Sequence, residues 1–272
     1  MEVGGRTSGR EWLRTRLYQG VLVAGSRALL LLERWLARAS LVGDHTFFES
    51  SAFPWAASLE QGWKEMRREL DAVLEHRDEL PNFQDISTDQ ASLSNDDQWK
   101  TFFLYGYGFR SDANCARCPT TARLLAGIPG MTTGFFSILG PGKRLPEHRG
   151  PYKGVLRYHL GLLVPEPAEA SAIRVGGDVG HWEEGKSLIF DDTYPHEAWN
   201  GTDRDRVVLF VDFLRPLPPP MALLNRLVIK AIAVSPFIQD AKRRHTSWEA
   251  RFEQLRAAGE GAPPAAPPDQ KE

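Results

Sequence analysis

The spacing of apolar residues changes period once along this chain, near residue 100, and that change most narrows the folds open to it. Between residues 57 and 80, Leu59, Trp63, Met66, Leu70, Val73 and Leu74 recur at helical spacing with charges between them, which predicts a core-facing amphipathic helix. Residues 81–97 are polar and read as a loop. Beyond them the apolar runs are short and broken by glycine, at 102–105, 135–139, 155–164, 187–190 and 207–213, the pattern of antiparallel strands. Strands of this kind between Gly-Pro, Gly-Gly and Glu-Gly turns predict a mainly β fold with flanking α: a double-sheet, jelly-roll barrel covered by N- and C-terminal helices.

Charge divides the chain in the same places. The formal net charge is −2, yet residues 1–40 hold seven arginines against three acids and residues 221–256 hold seven basic residues against three acids. The last sixteen residues carry −2, which leaves −8 for residues 41–220. The expected organisation is a basic amphipathic helical arm at 1–44, a barrel domain with its N-terminal helix at 45–220, a basic helical arm at 221–256 and a disordered, proline-rich tail at 257–272. The N-terminal arm is not expected to span a bilayer, because a span needs about 20 apolar residues and Arg27 interrupts the run. At about 100° per residue Arg16, Arg27, Arg34 and Arg38 share one face, so the arm either lies on an anionic membrane surface or packs on the domain with its arginines in water. No signal-peptide cleavage pattern follows it, and two cysteines cannot make a disulfide framework. The expected location is cytoplasmic and peripheral to the membrane, with no nucleic-acid partner.

Strand alternation sorts the residues able to do chemistry. Arg157 and His159 share one face of their strand, opposite Leu156, Tyr158, Leu160 and Leu162. Arg206 lies on the same side of its strand as Val208 and Phe210. Two cations aimed into an apolar interior call for a small dianion. His148 and His196, each at the end of a strand-like segment, either converge on one transition metal or are structural. Cys115 and Cys118 form a CxxC without the second pair that zinc requires, and read as a loop feature or a redox pair. His45, His76, His181 and His245 show no partner pattern, and the aromatic cluster Phe102, Phe103, Tyr105 and Tyr107 reads as core.

Several motifs together sharpen this reading: His148-Arg149-Gly150-Pro151, Leu156 through Leu162, Trp182-Glu183-Glu184-Gly185-Lys186, Ile189-Phe190-Asp191-Asp192, His196-Glu197 and Arg206 through Asp212. The chain resembles the aspartyl/asparaginyl β-hydroxylase family over about residues 97–216, with a double-stranded β-helix (cupin-like) fold implied. The resemblance implies an Fe(II)- and 2-oxoglutarate-dependent dioxygenase that uses O2 and releases succinate while hydroxylating an unactivated C–H bond. It implies Fe(II) on His148 and His196, the distal carboxylate of 2-oxoglutarate on Arg206 and Ser137, and the carboxylate beside the keto group on Arg157 and His159. The wider dioxygenase pattern has an aspartate where Gly150 stands, a gap this family shares, with water in its place. Asp192 either accepts a hydrogen bond from that water or is a turn residue. A glycine there also admits a halide, which leaves halogenation open.

Substrates implied by the family are aspartyl or asparaginyl side chains of proteins, small molecules such as amino acids, and lipid acyl chains. The basic arms and a similarity to bacterial lipid A hydroxylases, which carry aspartate at position 150, favour a lipid. The alternative is a non-catalytic cupin-like binding or membrane-scaffold protein, which requires that at least one of His148, His196 and Arg206 be turned away or blocked.

Overall fold

In a computed structural model of the chain, which describes residues 31–87 and 92–260, the strands pair antiparallel into two sheets with helices packed around them. Helix α1 (31–39), β1 (Phe47–Phe48), α2 (Ala56–Leu74) and α3 (Phe83–Ile86) come first. Then follow β2 (Trp99–Gly106), β3 (Phe109–Arg110), α4 (Asp112–Arg117), α5 (Pro119–Ala126), β4 (Met131–Leu139), β5 (Arg144–His148) and β6 (Val155–Leu163). The chain continues through β7 (Ser171–Val175), β8 (Asp178–His181), β9 (Ser187–Phe190), β10 (His196–Asn200) and β11 (Arg206–Leu214) to α6 (Pro219–Ala233) and α7 (Pro236–Glu260). One sheet has the order β1-β9-β6-β11-β4-β2-β3 and the other β5-β10-β7-β8.

Neither sheet closes on itself. The expectation of a closed jelly-roll barrel is therefore corrected to a mixed α/β fold of two open antiparallel sheets with several helices. Alternation along a strand decides which side chains share a face, but carries no information on whether the first and last strands of a sheet meet. The larger sheet is instead buried on both sides, as β6 and β11 show by their almost unbroken burial. Leu59, Met66, Leu70 and Val73 bury one stripe of α2 in the main core, and Arg67 of the same helix donates to the Leu162 carbonyl of β6 at 2.8 Å. Glu69 of α2 accepts from the Thr120 and Thr121 amides at 2.7 and 2.9 Å, satisfying orphan N–H groups in the first turn of α5.

The other face of the large sheet looks at the small one. On it lie Phe103, Phe135, Phe210 and His159, contributed by β2, β4, β11 and β6 in turn, with successive ring centroids 4.3, 4.3 and 4.9 Å apart. Cross-strand aromatic pairs of this kind hold register as well as area. Ser235 and Pro236 break the C-terminal helical stretch, since proline suits the first turn of a new helix. Helix α7 is not an outlying arm: Trp248 and Phe252 are buried in the main core, and the Trp248 indole donates to the Glu79 carbonyl at 3.1 Å. It runs to Glu260, into the stretch expected to be disordered. Arg16 and Arg27 of the basic stripe, and residues 261–272, lie outside the described residues. Among the described residues no single helix is long and apolar enough to cross a membrane; α6 and α7 pass that test only as a pair bent by 55°.

Candidate active site

A cavity of about 390 Å³ lies between the sheets, and His148, His196, Asp192, Arg157, His159, Arg206 and Ser137 all line it. His148 ends β5 and His196 begins β10, and the two are direct partners in the antiparallel ladder, with ring centroids 4.1 Å apart. Each ring directs Nδ1 at the backbone carbonyl two residues earlier, Pro146 at 2.8 Å and Tyr194 at 3.0 Å. A carbonyl accepts only, so Nδ1 carries the proton and Nε2 of both rings keeps its lone pair. Burial lowers the pKa of His148 and, with the neighbouring His148 and Arg157 helping, takes His196 down to about 3. Two adjacent neutral imidazoles with free lone pairs are what a divalent transition metal requires. Among the described residues no group of three or more His, Cys, Asp or Glu is assembled to hold a metal, and His148 and His196 stand as a pair.

Gly150 and Asp192 form one unit. A Cβ on Gly150 would stand 2.3 Å from Asp192 Oδ2, so the carboxylate fills the space that a side chain at 150 would need. The Gly150 amide donates to the Asp192 carbonyl at 2.7 Å. Asp192 Oδ2 pairs with Arg157 at 2.9 Å, while Oδ1 is buried with no partner among the described residues. Burial raises the Asp192 pKa to about 6, with Arg157 opposing and Asp212 adding to the rise. Next to it, Asp191 is lowered: burial acts to raise it, but Arg215, Thr193 and Lys153 more than offset that. Lys153 reaches Asp191 at 2.9 Å and Arg215 reaches it as well, which fixes the turn carrying Asp192.

The two cations expected to need an anion differ. Arg157 donates to Asp212 at 2.8 and 3.2 Å as well as pairing with Asp192, so two carboxylates already compensate it. Arg206 is buried over the Trp182 ring at 4.1 Å, its Nε has no partner among the described residues, and burial lowers its pKa to about 9. His159 accepts the Trp182 indole N–H on Nδ1 at 3.3 Å, which leaves Nε2 as a buried donor without a partner among the described residues. Ser137 accepts from the Trp99 indole at 3.1 Å and keeps its own hydroxyl proton to give. Donors without acceptors at Arg206 and His159, with Ser137 near them on the same wall, fit a carboxylate.

Sequence reasoning quoted Asp212 and Trp182 within its motifs but gave them no role, and it missed Trp99. Asp212 was findable, since it shares a face with Arg206 and Phe210 and the register sets it opposite Arg157. Trp182 and Trp99 reach the site from other elements and leave no periodic trace. Of the aromatic cluster read as core, Phe102 and Phe103 are buried in the main core with Tyr105 against them, while Phe103 and Tyr107 also line the cavity. Cys115 and Cys118 are both buried at the α4–α5 junction rather than in a loop, and burial pushes the Cys118 thiol up to about 12, which disfavours its thiolate.

Residues 60–216 match the family described as Aspartyl/Asparaginyl beta-hydroxylase. The ornithine lipid ester-linked acyl 2-hydroxylase of Rhizobium tropici is 48% identical over 233 residues, covering 84% of this chain and 83% of that one. The human aspartyl/asparaginyl beta-hydroxylase is 36% identical over 165 residues, 58% of this chain and 21% of its own length. Human aspartate beta-hydroxylase domain-containing protein 2 is 37% identical over 128 residues, 44% of this chain and 34% of its own.

Proposed function

Because the chain belongs to the aspartyl/asparaginyl β-hydroxylase family, we propose that it is an Fe(II)- and 2-oxoglutarate-dependent dioxygenase acting on the acyl chain of a membrane lipid. The observation that carries this reading is the charge balance of the cavity. Among the described residues Arg206 is a buried cation without a carboxylate, and Ser137 and His159 offer donors on the same wall, which suits one anionic cosubstrate. Arg157 is spoken for by Asp192 and Asp212, and Arg149 at the rim pairs with Glu33 at 3.2 Å. A substrate carboxylate, as an aspartyl side chain would bring, finds no further unpaired cation among the described cavity residues. Much of the remaining wall is apolar, with Phe103, Phe109, Phe135, Ile173, Phe190 and Ile238, and suits an acyl chain. The Rhizobium relative, a lipid acyl hydroxylase by name, points the same way.

His148 and His196 would hold the iron through Nε2, with Asp192 Oδ1 free to accept from a water beside it. Bound there, iron with 2-oxoglutarate supplies O2 activation coupled to decarboxylation to succinate. The chain's own residues orient the cosubstrate through Arg206, exclude water with the aromatic wall, and keep both imidazoles neutral. A halide is disfavoured, because the space beside Gly150 is filled by the Asp192 carboxylate rather than left open. The non-catalytic alternative needs one of His148, His196 or Arg206 removed from the cavity; that all three line it favours the enzyme.

The test is incubation of purified protein with Fe(II), 2-oxoglutarate and extracted membrane lipids, followed by mass spectrometry. Succinate release with a gain of one oxygen in an acyl chain is expected. Absence of succinate, together with unchanged iron binding in His148→Ala, overturns the reading.

A further inference from the structure

Two neighbouring helices hold large apolar side chains in water. Leu31 and Trp35 of α1 are 55% and 63% exposed, and Leu223 and Leu227 of α6 are 60% and 56% exposed, with Leu224 and Val234 also exposed. The inner faces of these helices are already satisfied: Leu32 and Leu36 pack with Met221, Val228, Ile229 and Ile232 in a cluster separate from the main core. Apolar surface left outside a filled helix pair marks an interaction face.

The exposed positions follow one rule on both helices. The α1 face reads Leu31, Arg34, Trp35, Arg38, and the α6 face reads Leu223, Arg226, Leu227, Lys230. At about 100° per residue the two apolar positions lie about 40° apart in each helix, and the two cations lie on one flank, about 20° and 60° from the first of them. Helix α6 contains no acid, and the one acid of α1, Glu33, is mostly covered and paired with Arg149. An apolar stripe edged by cations is the pattern of a helix lying in an anionic membrane interface, with its stripe among acyl chains and its cations at the phosphates.

The fold also argues against α6 and α7 acting as a bent span. Trp248 and Phe252 bind α7 into the core, so α7 cannot follow α6 across a bilayer as the second half of a bent span. The helix pair instead adjoins the cavity. Arg149, which holds Glu33 of α1, lines it, and so do Ile238 and Ala241 at the start of α7.

We propose that α1 and α6 together form a docking surface for an anionic lipid bilayer, which seats the cavity at the interface. The purpose of that docking, though not the docking itself, rests on the lipid reading above. The test is flotation of the full chain with phosphatidylcholine vesicles, with and without phosphatidylglycerol. The protein is expected to float with the anionic vesicles. Trp35→Glu with Leu227→Glu should weaken binding about tenfold or more, and Arg226→Gln or Lys230→Gln about fivefold per cation, with unchanged melting temperature and unchanged 2-oxoglutarate binding by calorimetry. Unchanged vesicle binding in these variants overturns the proposal, as does a wild-type protein that binds neither vesicle. So does sedimentation showing a dimer that Leu227→Glu dissociates, since a second copy would then cover the face. Vesicle binding without any gain of oxygen in lipid would leave the docking surface standing and overturn the lipid-hydroxylase reading instead.

Discussion

Arg206 is held in a condition that folded proteins rarely keep: a buried guanidinium stacked on Trp182 with no carboxylate beside it among the described residues. A cation desolvated without a partner opposes folding, so Arg206→Met is expected to stabilise the ligand-free protein by about 1–4 kcal/mol. The same change should abolish 2-oxoglutarate binding, and thermal melting with and without the keto acid reads both effects. Arg206→Lys keeps the charge but loses the forked geometry, and weakens that binding by about tenfold. Gly150 is the second informative residue. In Gly150→Ala the new methyl meets the Asp192 carboxylate, so a loss of about 1–3 kcal/mol is expected, with weaker Co(II) or Fe(II) binding by titration. His148, His196 and Arg206 were legible in the sequence because strand ends and strand parity are local properties. That Asp192 occupies the space at Gly150 was not, because the two meet only when the turn before β10 folds against the end of β5.

Strand pairing decides what those residues can do. The register of β11 on β6 sets Asp212 opposite Arg157, and this pairing turns a presumed anion-binding arginine into one already neutralised. Arg157→Leu strands two carboxylates in the interior and is expected to cost about 3–5 kcal/mol in urea unfolding, whereas Asp212→Asn, which leaves the Asp192 pair, costs less. Helix and strand positions followed from apolar period: the helix read over 57–80 appears as α2, and each expected apolar run lies in or overlaps a strand. Closure and docking did not follow from it. A closed barrel and two open sheets have the same alternation, and the basic composition of residues 221–256 hid Trp248 and Phe252, whose burial makes α7 part of the core.

Across the whole molecule, protons couple to stability mainly through histidine. His148, His159, His196 and His245 all have pKa values lowered by burial, His196 to about 3 and His245 to about 4. Groups kept neutral when folded contribute stability that is full above the unfolded value, about 6.5, and is lost as pH falls towards the folded one. Asp192 acts in the opposite sense between 3.8 and about 6, but it is one group against four. The melting temperature of the ligand-free protein should therefore fall between pH 7 and pH 5. Co(II) with 2-oxoglutarate should raise it more at pH 7 than at pH 5, since only neutral imidazole binds metal. A flat melting profile over that range would contradict this burial of the histidines.

By itself the sequence determined where α2, α6 and the apolar strands β2, β4, β6, β9 and β11 lie, which face of β6 and of β11 carries chemistry, and that an acidic centre lies between basic segments. Those depend on period, parity and composition, which are properties of neighbours in the chain. Only the tertiary structure decided that the sheets stay open, that Arg206 and not Arg157 is the cation left without a carboxylate among the described residues, and that the exposed stripes of α1 and α6 belong to two helices packed together. Each of these depends on contacts between residues far apart in sequence, where a side chain's charge and exposure are set by what the fold brings against it.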